Sequence, residues 1–194
     1  MKIVITGPRS VGKSTISKIV AKKLKMTYVS SDELGEKACE EYGGLDKAIK
    51  SGMIDKMIKE KGYTSILGSL KQDNIVLDLS GGSVSSRKFA EASAEIRKAV
   101  SECALVFGLL PFPDEKKSVK LLFQREIQRE HFKESPKQKV LEETQKDFLK
   151  FPPLFQEFCN FIVYTETNSP DTIANEIVKA VKEVKKEMKE EIFK

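Results

Sequence analysis

Residues 7–15 read GPRSVGKST and stand directly behind the apolar run KIVIT at the start of the chain. The stretch fits G-x-x-x-x-G-K-[ST], with Gly7, Gly12, Lys13 and Ser14 at the fixed positions. Glycines let a backbone curl until successive N–H groups point inward at an anion. A helix that follows adds its positive N-terminal end to the same spot. Pro8, Arg9, Ser10, Val11 and Thr15 complete the cradle, Lys13 reaches the β- and γ-phosphates, and the Ser14 hydroxyl is placed to hold magnesium. This spacing predicts a site for ATP and Mg2+.

Two carboxylates join the candidate site. Asp32 closes the run TYVSSD, and Asp78 sits inside the apolar run NIVLDL, which leads into Ser80-Gly81-Gly82-Ser83. A carboxylate beside the phosphates either holds the metal or accepts the proton of an attacking hydroxyl. Asp32 is also a candidate N-cap for the helix behind it. Asp78 lies where an unpaired carboxylate is costly, which favours function.

These residues need a scaffold that brings strand ends together. Strand-like runs recur at 2–6, 27–30, 74–79, 103–110 and 160–165, with helical stretches between them, including roughly 85–100, 114–130 and 170–193. Ile16, Ile19, Val20 and Leu24 fall on one helical stripe behind the loop. The alternation predicts a three-layer α/β/α fold around a five-stranded parallel sheet, in one domain spanning 1–194. Its carboxyl edge gathers Lys13, Asp32 and Asp78. Residues 32–72 read as a substrate-binding segment of two or three short helices, broken at Gly43-Gly44, Ser51-Gly52 and Gly62. The highly charged residues 126–150 read as a lid that keeps water from the γ-phosphate.

Composition narrows the function class. With 34 Lys and Arg against 29 Asp and Glu, the net charge is +5, spread along the chain; it suits anionic nucleotides and does not indicate a nucleic-acid groove. Cys39, Cys103 and Cys159 have neither metal nor redox spacing and read as reduced, buried thiols of a cytoplasmic protein. The longest apolar run, 104–112, is too short to span a bilayer. The single histidine, His131, reads as a surface or packing residue. The expected partners are a nucleotide and a small hydroxyl acceptor, bound by a monomer or weak dimer.

The chain resembles shikimate kinase and its relatives among the small-molecule kinases. The loop GPRSVGKST, YVSSD (28–32), VLDLSGGS (76–83), REHF (129–132) and PLFQEFCNFIVYTETNSPDTIANEI (153–177) match the family's landmarks in order. The resemblance implies that Asp32 meets the acceptor hydroxyl and that Ser80, Gly81 and Gly82 lie along the substrate. It also implies that Arg129 is the lid arginine, with Arg125 and Pro170 on the nucleotide side, where Thr167 to Pro170 border the adenine. Four departures accompany it. The family's first strand-two Asp is Ser30, and one glycine of its triple is Ser80. The two arginines that grip the shikimate carboxylate fall on Thr64, beside Tyr63, and on Phe151, with Lys150 and Arg87 near enough in sequence to substitute. The expectation is a kinase of a small polar metabolite for which shikimate is a poor acceptor. A nucleoside monophosphate kinase and a non-catalytic nucleotide-binding module are the alternatives. The first of these usually carries arginines in the acceptor segment, and 32–72 contains none.

Overall fold

The computed structural model describes residues 1–61, 63–129, 132, 135–166 and 168–192, without the side chains of 59–61, 191 and 192. His131, Gly62 and Thr167 lie outside the described residues.

Five parallel strands form the sheet: β1 (Lys2–Gly7), β2 (Thr27–Ser30), β3 (Ile75–Ser80), β4 (Leu105–Leu110) and β5 (Phe161–Tyr164), in the order β2-β3-β1-β4-β5. The central strands explain their own sequences. Ile3, Val4 and Ile5 of β1 and Ile75, Val76 and Leu77 of β3 are all fully buried, so no polar alternation survives. The edge strands β2 and β5 are only partly covered. The order reverses beside β1, between β3 and β4, and a crevice opens there at the carboxyl ends.

α1 (Lys13–Leu24) follows the loop and buries Ile16 and Val20. It packs against α11 (Pro170–Ile192), which buries Ile177 and Val181 but exposes Met188, so the apolar face of the last helix ends before its tail. Residues 32–72 hold one helix more than the upper expectation. They form α2 (Ser31–Ala38), a 3-10 turn at Glu40–Tyr42, α3 (Leu45–Lys50), α4 (Met53–Lys61) and α5 (Thr64–Ser69). The breaks at Gly43-Gly44 and Gly52 take positive φ, which glycine adopts without strain.

The helix expected over roughly 85–100 is α7 (Ala90–Cys103), which starts later because Ser86 is extended, and a short helix α6 (Gly81–Ser85) precedes it. α8 (Glu115–Glu126) precedes the lid candidate. Residues Lys137–Phe148 within that candidate form α9, with Val140, Thr144 and Phe148 buried, so this half is packed structure. α10 (Phe151–Phe158) adds Phe151 and Phe155 to the core. The three cysteines are free thiols, but Cys103 is exposed, against the expectation of burial for all three.

Candidate active site

The loop leaves β1 at Gly7 and enters α1 at Lys13. Gly12 caps the helix with φ of 105°, a left-handed conformation that a side chain would strain. Ser10 also takes positive φ, 63°. Lys13 Nζ folds back and donates to the Pro8 carbonyl at 3.0 Å. Burial pushes the Lys13 ammonium below its ordinary value, opposed by the carboxylates of Asp78, Asp32 and Asp147. Those three acids converge on the lysine from β3, α2 and α9.

Arg9, Ser10, Gly12, Lys13, Ser14 and Thr15 line a cleft of about 810 Å³, faced by Arg125, Arg129, Asp32 and Ser80 to Gly82. Arg125 Nη1 donates to the carbonyls of Ser10 at 3.1 Å and Val11 at 3.4 Å, clamping the back of the loop. Arg129 Nη1 lies 3.5 Å from Ser10 Oγ.

A residue that sequence reasoning missed organises this corner. Glu126, at the end of α8, is 1% exposed and accepts from the Ser10 hydroxyl. Its other oxygen pairs with Arg9 Nε at 2.9 Å, and Arg129 Nη1 lies 3.8 Å from the first. Three loop or lid side chains therefore share one buried carboxylate. Within a strongly charged helix, no signal in the sequence separates Glu126 from its exposed neighbours.

The strand-two motif is also resolved by pairing. Ser30 and Asp78 are register partners in adjacent parallel strands. A carboxylate thus stands beside Ser30 on the neighbouring strand. Asp78 is 4% exposed, and one oxygen accepts the Tyr28 hydroxyl at 3.1 Å. Tyr28 is itself pushed up to about 12 by burial and by Asp78 beside it. Ser30 caps α2 by accepting from Glu33 N at 3.3 Å. Asp32 is therefore not the N-cap. It borders the loop cleft and a second cavity, and desolvation followed by the like charge of Asp78 raises its pKa.

Ser80 replaces a family glycine with a purpose of its own. Its hydroxyl accepts from Ser83 N and caps α6, while its N–H donates to Ser31 Oγ at 2.8 Å. Gly81 has no such freedom. A Cβ there would lie 2.4 Å from the Gly7 carbonyl oxygen and 2.7 Å from Phe151 Cζ, so the start of the loop and the start of α6 touch through it.

The second cavity, about 700 Å³, lies under the helices of 32–72 and opens onto the first through Asp32, Ser80, Gly82 and Asp147. Thr64 and Lys150 line it. Phe151 does not: it is 1% exposed, with its ring against Gly81 and edge-on to Phe155. Arg87 is exposed and lines neither cavity, and the same holds for Pro170. The structure thus gathers Lys13, Ser14, Asp32, Asp78, Arg125, Arg129 and Ser80 to Gly82, and leaves Arg87 and Pro170 outside.

A magnesium ion can be tested against these donors. Among the described residues no group of three or more His, Cys, Asp or Glu side chains gathers for a metal. A hydroxyl such as Ser14 with one nearby carboxylate suits an ion that takes its other ligands from phosphate and water, as magnesium prefers. The residues fit.

A parallel sheet with helices on both faces, a phosphate loop after β1 and a second cavity opening onto the loop cleft define the class: a P-loop small-molecule kinase. Similarity to known proteins narrows it. The shikimate kinase family model matches residues 9–182. The shikimate kinase of Pseudoalteromonas translucida (strain TAC 125) is 31% identical over 183 residues, 91% of this chain and 94% of the relative. That of Vibrio cholerae is 30% identical over 182 residues, 93% of this chain and 95% of the relative. The solved shikimate kinase from Acinetobacter baumannii, in complex with shikimate, superposes with a TM-score of 0.69 at 20% identity, covering 95% of this chain and 94% of that one. A gluconokinase from Sinorhizobium meliloti shares the fold at a TM-score of 0.59 and 13% identity, covering 98% and 96%. The chain belongs to the shikimate kinase family and is an ATP-dependent small-molecule kinase. Among the described residues no helix is long and apolar enough to cross a membrane.

Proposed function

We propose that the chain transfers the γ-phosphoryl of magnesium-bound ATP to a hydroxyl of a small metabolite held in the cavity beneath α2 to α5. The observation that carries this reading is Asp32, which stands at the boundary of the phosphate cleft and that cavity. A carboxylate there orients the acceptor hydroxyl and takes its proton as the new P–O bond forms and the bond to the departing ADP breaks. Ser14 and Asp78 would hold magnesium, whose charge offsets that of the phosphates. Lys13 would leave the Pro8 carbonyl for the β- and γ-oxygens, where a cation stabilises charge spread over the transferred group. Arg129, on the solvent side of the cleft, would close over the transfer, and Arg125 holds the loop in shape. We favour a monomer or weak dimer, since all of these groups come from one chain.

Lys13→Ala tests the reading. It should lower kcat by about 10²–10³-fold, the usual cost of one preorganised donor at developing charge, with the fold intact by circular dichroism. ADP release with an acceptor panel is the measurement; turnover near the wild-type rate would remove Lys13 from the phosphates.

A further inference from the structure

We infer that the acceptor is an uncharged hydroxyl compound with an apolar face, and that the cavity rejects carboxylate-bearing acceptors. This rests on the kinase reading above and deepens it.

Four observations converge. First, the described lining of the acceptor cavity carries three carboxylates, Asp32, Glu41 and Asp147, and one cation, Lys150. Second, that cation is committed: Lys150 Nζ donates to Asp147 Oδ1 at 2.8 Å. An incoming anion would have to break this pair or remain unpaired among like charges, and either is costly away from water. Third, the positions that could supply a guanidinium do not. Thr64 carries no charge, Phe151 is turned into the core against Gly81, and Arg87 lies outside on the surface. Fourth, much of the remaining lining is apolar, including Leu45, Ile49, Ile54, Met57 and Ile58. Ile49 is 54% exposed, and it borders both the acceptor cavity and the phosphate cleft. An apolar occupant would cover it and recover the free energy of taking that surface out of water. A volume of about 700 Å³ is ample for such a ligand.

Matched pairs isolate the charge. ADP formation with Mg-ATP is measured for shikimate against its methyl ester, and for gluconate against glucitol. The neutral member should have a kcat/KM at least 10-fold higher in one pair or both. Asp147→Asn, which releases Lys150, should narrow that ratio several-fold by freeing a cation for the acid. Preference for the acid in either pair overturns the inference, as does the absence of a neutral preference in both, including no turnover of any of the four. Calorimetry with a non-hydrolysable ATP analogue separates the two levels of the argument. An analogue that binds while no neutral preference appears sinks the acceptor inference alone, whereas an analogue that fails to bind sinks the kinase reading beneath it.

Discussion

Glu126 shows how much one side chain can organise. Arg9 and Arg129 are each nearly half exposed, yet both lean on a carboxylate that is almost fully buried and that also holds the Ser10 hydroxyl. Glu126→Gln keeps the shape and removes the charge. The two guanidiniums can turn to water, so the loss should fall below that of a wholly buried pair, at about 1–2 kcal/mol. The arginines would then be free for phosphate. The expected outcome is a lower melting temperature without nucleotide and a KM for ATP no higher than wild type; an unchanged melting temperature would show that the carboxylate holds nothing. Asp32 offers a pH-dependent counterpart. Its pKa is raised, chiefly by desolvation and then by Asp78, so the proton is held more tightly in the folded chain than in the unfolded one. The sign follows: the charged form that takes the acceptor's proton is lost as pH falls through a value above the ordinary 3.8. Carbon NMR titration of the free protein should place Asp32 above that value, and Asp78→Asn should bring it down. A midpoint at or below 3.8 would contradict the placement of the two acids.

At the scale of elements, the decisive contact is between the end of β1 and the start of α6. Gly81 brings α6 against the Gly7 carbonyl on one side and the Phe151 ring on the other. Neither neighbour can yield, since one is backbone and the other is a packed aromatic. Gly81→Ala should cost about 2–3 kcal/mol in urea unfolding, at the upper end of ordinary overpacking. Gly82→Ala is the control: nothing lies within 4 Å of the added carbon, and stability should hold within about 0.5 kcal/mol. Equal losses at both positions would mean that contact with the loop does not set the effect, since Ala in place of Gly favours a helix on propensity alone. The same contact accounts for Phe151. The position that the resemblance matches to a substrate-gripping arginine here seats an aromatic ring in the core, against Gly81 of α6 and edge-on to Phe155.

The whole molecule couples these parts through ligand binding. A ligand that binds only the folded chain stabilises it by about 2.7 kcal/mol at a concentration 100 times its Kd. For a chain of this length, each kcal/mol moves the melting temperature by roughly 2–4 °C. An ATP analogue with magnesium should therefore raise the melting temperature by roughly 5–10 °C at that saturation. The shift should shrink when magnesium is chelated and in Lys13→Ala. A shift of the same size in the variant would place the nucleotide away from the loop.

The sequence by itself determined the phosphate loop, the five strands and the alternation that makes them parallel, because these are local: glycine spacing and continuous apolar runs express themselves within a few residues. It also carried the family's landmarks. What the tertiary structure alone decided depends on pairing across the chain. That Asp78 stands beside Ser30 follows from the register of β2 with β3, two strands separated by four helices. That Glu126 is buried, that Lys150 is spent on Asp147 and that Phe151 faces the core all depend on which side of a helix meets which neighbour. A charged or aromatic residue at a helix end reads alike in a one-dimensional sequence whether it meets water, substrate or core. Only packing distinguishes the three, because burial and charge compensation are properties of the surroundings and not of the residue.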